Sequence, residues 1–307
     1  MTFLNSIKLF CSNWEKVLKL FLYYLFSLAI TALLLLPVIL AFKDVINENI
    51  NSALVTSNYL TVFHSTFGGY LNGVFSLIFE IVSDAFLKNA GLVVYAFLVV
   101  TIFLPFLFNV GKYVICEMLY GYMANKSRVS FFGVFFKTLN RSLLYALCKT
   151  FYDLVFVAVV VASVFSVGLV ENVYFQTHFL PLCVFLILVV AFTLSKVSTT
   201  CWAPAMIVLG VSVDKGYRRG ARVVARHFGR ALFVNLILYV CFFAFTYMVG
   251  IYSLVVTVPL LTALLCMFDM ITFFSSQGMR YYINSKIIMT PKKLEEVDSF
   301  KKTKYII

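Results

Sequence analysis

Four charged residues stand inside otherwise apolar runs: Lys149 and Asp153 in "LYALCKTFYDLVFVAVV", Lys196 in "VVAFTLSKVSTT", and Asp269 in "LLCMFDMITFF". A charge near the centre of a membrane helix costs ~2.5–3.5 kcal/mol on insertion scales, so such residues are candidates for binding an ion or a polar ligand. Lys149 and Asp153 are four apart and can pair on one helical face. Asp269 has no basic residue within one turn of it in the chain. Two readings stay open. In one, the lysines extend their stems so that the ammonium groups reach the membrane boundary, and the aspartates are neutralised structurally. In the other, Asp153 and Asp269 line a polar cavity for an ion or small solute. The bulky neighbours of Asp269 lean toward the first.

A second concentration of charge lies in "DKGYRRGARVVARHFGRALF" (214–233), where Lys215, Arg218, Arg219, Arg222, Arg226 and Arg230 crowd together. At ~100° per residue these six fall within one third of a helical wheel, with Tyr217, Ala221, Val224 and Phe228 opposite. A helix with one basic and one apolar face, placed between two spans, lies at the membrane–water boundary. There each base contributes ~1 kcal/mol of attraction to anionic headgroups. The connector 125–141 has a similar pattern: Lys126, Lys137 and Arg141 share one face, and Phe132, Phe135 and Leu139 take the other. A nucleic-acid reader would present a folded soluble module or interleaved aromatics instead. The expected partners are therefore anionic membrane lipids or another protein, and no nucleic acid.

Other chemistry has little support. The cysteines (Cys11, Cys116, Cys148, Cys183, Cys201, Cys241, Cys266) are scattered singly, without the spacing of a disulfide framework or zinc site. The three histidines, His64, His178 and His227, are far apart. No G-x-S-x-G, H-E-x-x-H or phosphate loop occurs. The expectation is a protein that is not an enzyme and needs no metal or cofactor.

The elements that must carry these residues follow from composition. The chain has 307 residues, 62% of them hydrophobic and 12% charged. Soluble domains run near ~45–50% apolar and ~25% charged. An integral membrane protein is the class that fits. Spanning the hydrocarbon as a helix takes ~20 apolar residues, and six stretches qualify: 20–42, 91–111, 142–169, 180–202, 231–250 and 254–276. The last two adjoin through "GIYS" (250–253). Backbone groups in lipid must be satisfied within the segment, so the spans are helices. The expected fold is all-α with six transmembrane helices and two basic interfacial helices. "YLNGVFSLIFEIVSDAF" (70–86) is short for a span and reads as an interfacial or re-entrant helix.

Lys and Arg alternate with each crossing. They gather in 125–141, in 211–230 and after residue 276, whereas 43–90 has only Lys43 and Lys88 against Asp44, Glu48, Glu80 and Asp84. The positive-inside bias then places both termini and both basic connectors in the cytoplasm. An offset of 89 residues sets Gly121 on Gly210, Lys126 on Lys215, Val134 on Val223, Lys137 on Arg226 and Arg141 on Arg230. This suggests one polytopic domain over 1–285 with repeat-like halves 91–169 and 180–250, followed by a charged tail over 286–307.

The run "APAMIVLGVSVDKGYRRGARVVARHFGRALFVNLILY" (203–239) resembles a motif of a loose group of bacterial six-helix membrane proteins. The group includes the YciC-like proteins and the membrane domain attached to some glycerophosphodiester phosphodiesterases. Ala203, Pro204 and Ala205 match its proline-containing element, and Tyr217, Arg218 and Arg219 match its basic helix start. Gly220 stands where a serine is usual, and no acidic residue follows Val208. The likeness covers about 91–285 and implies a bacterial inner-membrane setting. No catalytic residue carries over. Function is expected to be engagement of anionic lipid or a partner through the basic helices, with small-solute or lipid transport as the alternative.

Overall fold

The protein is described by a computed structural model that places residues 2–44, 67–125, 130–168, 179–249 and 254–277, with 280–282, 288–290 and 305–306. The helices are α1 (Thr2–Ser12), α2 (Trp14–Ala41), α3 (Phe67–Leu98), α4 (Leu104–Asn125) and α5 (Phe131–Gly168). They continue as α6 (Leu180–Ser198), α7 (Trp202–Leu209), α8 (Val213–Arg226), α9 (Phe228–Val249) and α10 (Leu254–Ser276). Six helical segments are long and apolar enough to cross a membrane: Trp14–Ala41, Val82–Met123, Phe131–Val164, Leu182–Leu209, Phe228–Thr246 and Leu254–Ser276. The fold is that of an all-α, six-helix, multi-pass membrane protein. Short strands β1 (Arg280–Tyr282), β2 (Ile288–Thr290) and β3 (Tyr305–Ile306) add a small antiparallel sheet in the order β1-β2-β3. Chain-level periodicity gave no sign of it.

Helix breaks have local causes. At Asn89 the backbone leaves helical geometry (φ −158, ψ 90), and its side-chain oxygen accepts a hydrogen bond from the Leu92 N–H at 3.2 Å. Asn89 thus caps the helix that begins the second span, as a short polar side chain does at an N-terminus. The segment 70–86 is a helix ahead of that cap. A π turn, Val99–Phe103, follows. Pro105 lacks the N–H that the Thr101 carbonyl would otherwise accept, which accounts for the loosened winding there.

The chain sorts into two compact units. One contains Met1–Phe26, Phe106–Phe151 and Phe192–Ile307; the other contains Ser27–Pro105 and Tyr152–Ala191. In the second unit Phe42 and Ala85 pack with Val38, Leu92 and Val93, and the Tyr95 hydroxyl donates to the Leu34 carbonyl at 3.1 Å. The first unit holds the largest buried side chains, among them Tyr113, Tyr145, Phe268, Phe273 and Phe274. Here Tyr24 stacks on Phe108 with ring centroids 4.2 Å apart, and Tyr145 meets both Tyr113 and Trp202 at 5.4 and 5.6 Å.

One helix of this unit had no counterpart in the sequence reading. The helix α1 buries Ser6 and Leu9 and packs on α10, while Leu4, Ile7 and Trp14 remain exposed. It turns into α2 at Asn13, whose side-chain amide donates to the Leu9 carbonyl at 3.0 Å and whose oxygen accepts from Lys16 Nζ at 2.7 Å. Lys16 is buried there, with Nζ 3.9 Å from the Tyr122 ring centre.

Candidate functional site

Two constellations emerge, both within the first unit, one exposed and one buried. The exposed one is α8. The chain leaves α6 through Thr199 and Thr200, whose hydroxyls donate back to the Ser195 and Lys196 carbonyls at 2.9 and 3.0 Å. Such back-bonding bends helices. After α7 the chain reverses at Gly210, which has φ +63, a left-handed conformation that costs glycine little. The indole N–H of Trp202 then donates to the Val213 carbonyl at 3.0 Å and closes the α7–α8 hairpin.

Two glycines set how closely α8 lies. A Cβ on Gly220 would stand 2.8 Å from the Cys201 backbone, and one on Gly216 would stand 2.3 Å from Met206 Cγ. The docked face of α8 is therefore Gly216, Gly220, Val223 and Val224. Of the four residues placed opposite the bases by the helical wheel, Val224 is buried, but Tyr217 and Ala221 are half-buried and Phe228 is exposed. Phe228 falls outside because α8 ends at His227 and Phe228 opens α9. Lys215, Arg218, Arg219, Arg222 and Arg226 are all exposed on α8. Arg230 is exposed too, but it stands on α9, beyond the break. Arg218 Nε donates to Asp214 Oδ1 at 3.2 Å, with both side chains open to solvent.

The first basic connector is built differently. Lys137 and Arg141 are exposed on the opening turns of α5, which runs on unbroken into its apolar part. Its buried stripe is Phe131, Val134, Thr138, Ser142 and Tyr145. The sequence reading chose Phe132, Phe135 and Leu139 for that face; Phe132 is exposed, and the other two are half-buried. The correction is one of phase, since the buried stripe continues to Tyr145 and so is fixed by the span. Lys126 lies outside the described residues.

The buried constellation centres on Asp269. Its carboxylate is 1% exposed and accepts from Lys196 Nζ through Oδ2, an ion pair between α10 and α6. The basic partner absent from its own helix is supplied from 73 positions earlier in the chain. Lys112 on α4 and Lys149 on α5 are buried as well, and both lie within electrostatic reach of Asp269. The four helices are held together around them. Asn109 Nδ2 donates to Thr150 Oγ1 at 3.2 Å, joining α4 to α5, and the Lys112 carbonyl lies 4.0 Å from Cys266 Sγ, joining α4 to α10.

Lys112, Lys149 and Lys196 are all buried among the packed helices. Asp153 is half-buried and belongs to the other compact unit, whereas Asp269 belongs to the first. Among the described residues, Asp269 Oδ1, Tyr145 Oη, Thr193 Oγ1 and Thr272 Oγ1 are buried without a hydrogen-bond partner. Uncompensated burial of such groups costs ~1–3 kcal/mol each. The sequence reading missed Lys112 and Tyr145 as members of this centre. A signal was present: Asn109–Lys112–Cys116, Ser142–Tyr145–Lys149, Thr193–Lys196–Thr200 and Thr262–Cys266–Asp269–Thr272 each recur at three- and four-residue spacing. That spacing makes a polar stripe on each of four helices.

Of the cysteines, Cys116, Cys201 and Cys266 are buried, Cys148 and Cys183 half-buried, and Cys11 and Cys241 exposed. Among the described residues, no group of His, Cys, Asp and Glu has the arrangement of a metal site. The chain matches no protein-family model, no curated protein and no solved structure.

Proposed function

We propose that the protein is a non-enzymatic component of a bacterial cell membrane that engages anionic lipid through its basic face, with both termini in the cytoplasm. The observation that carries this reading is the division of α8 into two sides. Gly216 and Gly220 press one side against α7, which leaves Lys215, Arg218, Arg219, Arg222 and Arg226 directed outward, with only Arg218 held by an acid on the same helix. Bases so exposed beside membrane spans attract anionic headgroups. Lys137, Arg141 and, by its place in the sequence, Lys126 extend the same chemistry. The alternation of Lys and Arg along the chain supports the cytoplasmic assignment.

Two further readings belong here. The 89-residue offset pairs buried with buried (Val134 and Val223, Ser142 and Ala231) and exposed with exposed (Lys137 and Arg226, Arg141 and Arg230), which supports an internal duplication. The motifs at 203–219 support kinship with the YciC-like group. The alternative function, transport of a small solute or lipid, draws on the buried Lys196–Asp269 pair, and there solute flux should vanish in Asp269→Asn.

The test of the main reading is lipid retention. Detergent-purified protein is titrated with phosphatidylglycerol or phosphatidylcholine and the bound lipid counted by native mass spectrometry, with and without salt. The expected result is salt-sensitive preference for phosphatidylglycerol, lost when Arg218, Arg219, Arg222 and Arg226 are changed to Gln. Equal retention of the two lipids by the unaltered protein would overturn it.

A further inference from the structure

The helix α1 presents three kinds of surface, and one of them has no use in the contacts described so far. At about 100° per residue Ser6 and Leu9 share one side, and both are buried where α1 packs on α10. Leu4, Ile7 and Cys11 fall within about 60° of one another on a second side, and all three are exposed. Phe3 and Phe10, half-buried, stand between those two sides. The third sector is polar, with Lys8 and Ser12 exposed and Asn5 half-buried. A helix on a soluble protein has two sectors, one toward the core and one toward water. An open apolar sector beside a polar one is the pattern of a helix that keeps its charges among headgroups and sinks its other face into the acyl boundary.

What covers the apolar sector follows from what adjoins it. Phe10 meets Trp14 edge to face, with ring centroids 6.0 Å apart. Trp14 opens α2 and shares one stripe with Leu18, Leu22 and Leu25, all exposed on a helix that is long and apolar enough to cross the membrane. The apolar side of α1 is thus continuous with a surface that lipid covers. Depth agrees with this. The apolar stretch of the span begins at residue 20. At 1.5 Å per residue Trp14 stands about 9 Å before it, at the headgroup level where Trp is enriched. Near the same level Lys19 pairs with Glu15 at 2.5 Å, and the Glu15 side chain is 71% exposed, a charge that hydrocarbon would not surround. By contrast α8 exposes charged side chains and Ala225 but no large apolar one.

We propose that α1 lies in the headgroup–acyl boundary of the leaflet in which α2 begins. Leu4, Ile7 and Cys11 rest against acyl chains, while Lys8 and Ser12 face water and headgroups. The partner is the bilayer itself. This contact differs in kind from that of the basic face: it rests on apolar burial, so salt, which screens the attraction of exposed bases for anionic lipid, leaves it in place.

The experiment reads tryptophan emission from the full chain in bicelles of phosphatidylcholine and phosphatidylglycerol, where both membrane faces meet the solvent. The chain has two tryptophans, Trp14 and the buried Trp202, so Trp14→Phe alone supplies the blank. In that background Leu4→Trp, Ile7→Trp and Lys8→Trp each place a probe on an exposed position of α1. The quenchers are phosphatidylcholine brominated near the top of its acyl chains and iodide in the water. Expected is that Leu4→Trp and Ile7→Trp lose most of their added emission to the bromines and little to iodide, at low and high salt alike. Lys8→Trp should lose more to iodide than to the bromines. Should a probe variant fail to fold, native Trp14, read as the unaltered chain minus the blank, should be quenched by the bromines in the same way. Quenching of Leu4→Trp and Ile7→Trp, or of native Trp14, by iodide alone would place the apolar side in water. Quenching by neither would mean that a protein surface, a second copy or another chain, covers it. Bromine quenching of Lys8→Trp equal to that of Leu4→Trp would mean that α1 is immersed on both sides. Each of these three results overturns the proposal.

Discussion

The ion pairs Arg218–Asp214 and Lys196–Asp269 join the same kinds of group in the same compact unit, yet they are opposites in every physical respect. The first is local, four residues apart, and both side chains are about 70% exposed (72%/67%). The second joins residues 73 positions apart, with side chains 7% and 1% exposed. An exposed pair contributes ~0–1 kcal/mol, because water and salt screen it. A buried pair has a small net value too, but for another reason: desolvation offsets a large attraction. The difference appears when one partner is removed. Water takes the place of the missing partner at the surface and is unavailable to do so in the interior.

The largest effect should therefore come from Lys196→Met. It leaves the Asp269 carboxylate buried without its partner, a loss on the order of 3–5 kcal/mol. A sharp fall in melting temperature in detergent, or loss of folded protein on size exclusion, would report it. The double variant Lys196→Met with Asp269→Leu should recover most of the stability, since an apolar replacement of a whole buried pair is close to neutral. If the double variant is as unstable as the single one, the pair holds α6 and α10 together by more than mutual compensation.

Gly220→Val should come next. Its first added carbon would already stand 2.8 Å from the Cys201 backbone, which has no side chain to swing away. Overpacking of this kind costs ~1–3 kcal/mol. The α7–α8 hairpin should loosen, and proteolysis near Gly210 should speed up. The Asp214–Arg218 pair lies wholly on α8 and should survive the shift, as a Lys196-type contact between helices would not. Unchanged proteolysis and melting would mean that α8 is held by something other than the glycine face.

The contrast between these pairs also marks what a single chain reveals. The spans at 142–169, 180–202 and 254–276 were legible because ~20 apolar residues leave little choice in lipid. The bases of 215–226 were legible because helical periodicity is local. The partner of Asp269 was not, since nothing within a few residues of either Lys196 or Asp269 points to the other. The same holds for α1: its buried Ser6 looks like an ordinary polar position until α10 is placed against the helix. Gly216 and Gly220 were illegible for a different reason. The wheel singled out neither of them, yet their lack of a side chain determines which face of α8 is docked. Arg230 sits in phase with the α8 bases yet on another helix, because the break at His227 leaves no hydrophobic signature.

The smallest effect should come from Asp214→Asn, and it is the sharpest check on the comparison. The substitution removes the exposed acid that holds Arg218 Nε at 3.2 Å. Water replaces it, so the loss of the pair should cost no more than ~1 kcal/mol. Asp214 also lies in the first turn of α8, where a negative charge favours the helix by ~0.3–1 kcal/mol at low salt. Its loss should therefore show as a slight destabilisation that disappears as salt rises. Lipid retention should move the other way: with Arg218 released and one negative charge gone from the basic face, phosphatidylglycerol should be held more tightly at low salt. A destabilisation comparable to that of Lys196→Met would mean that the Asp214–Arg218 pair is enclosed when the protein is in its membrane, and the distinction between a solvated pair and a buried one would then fail at α8.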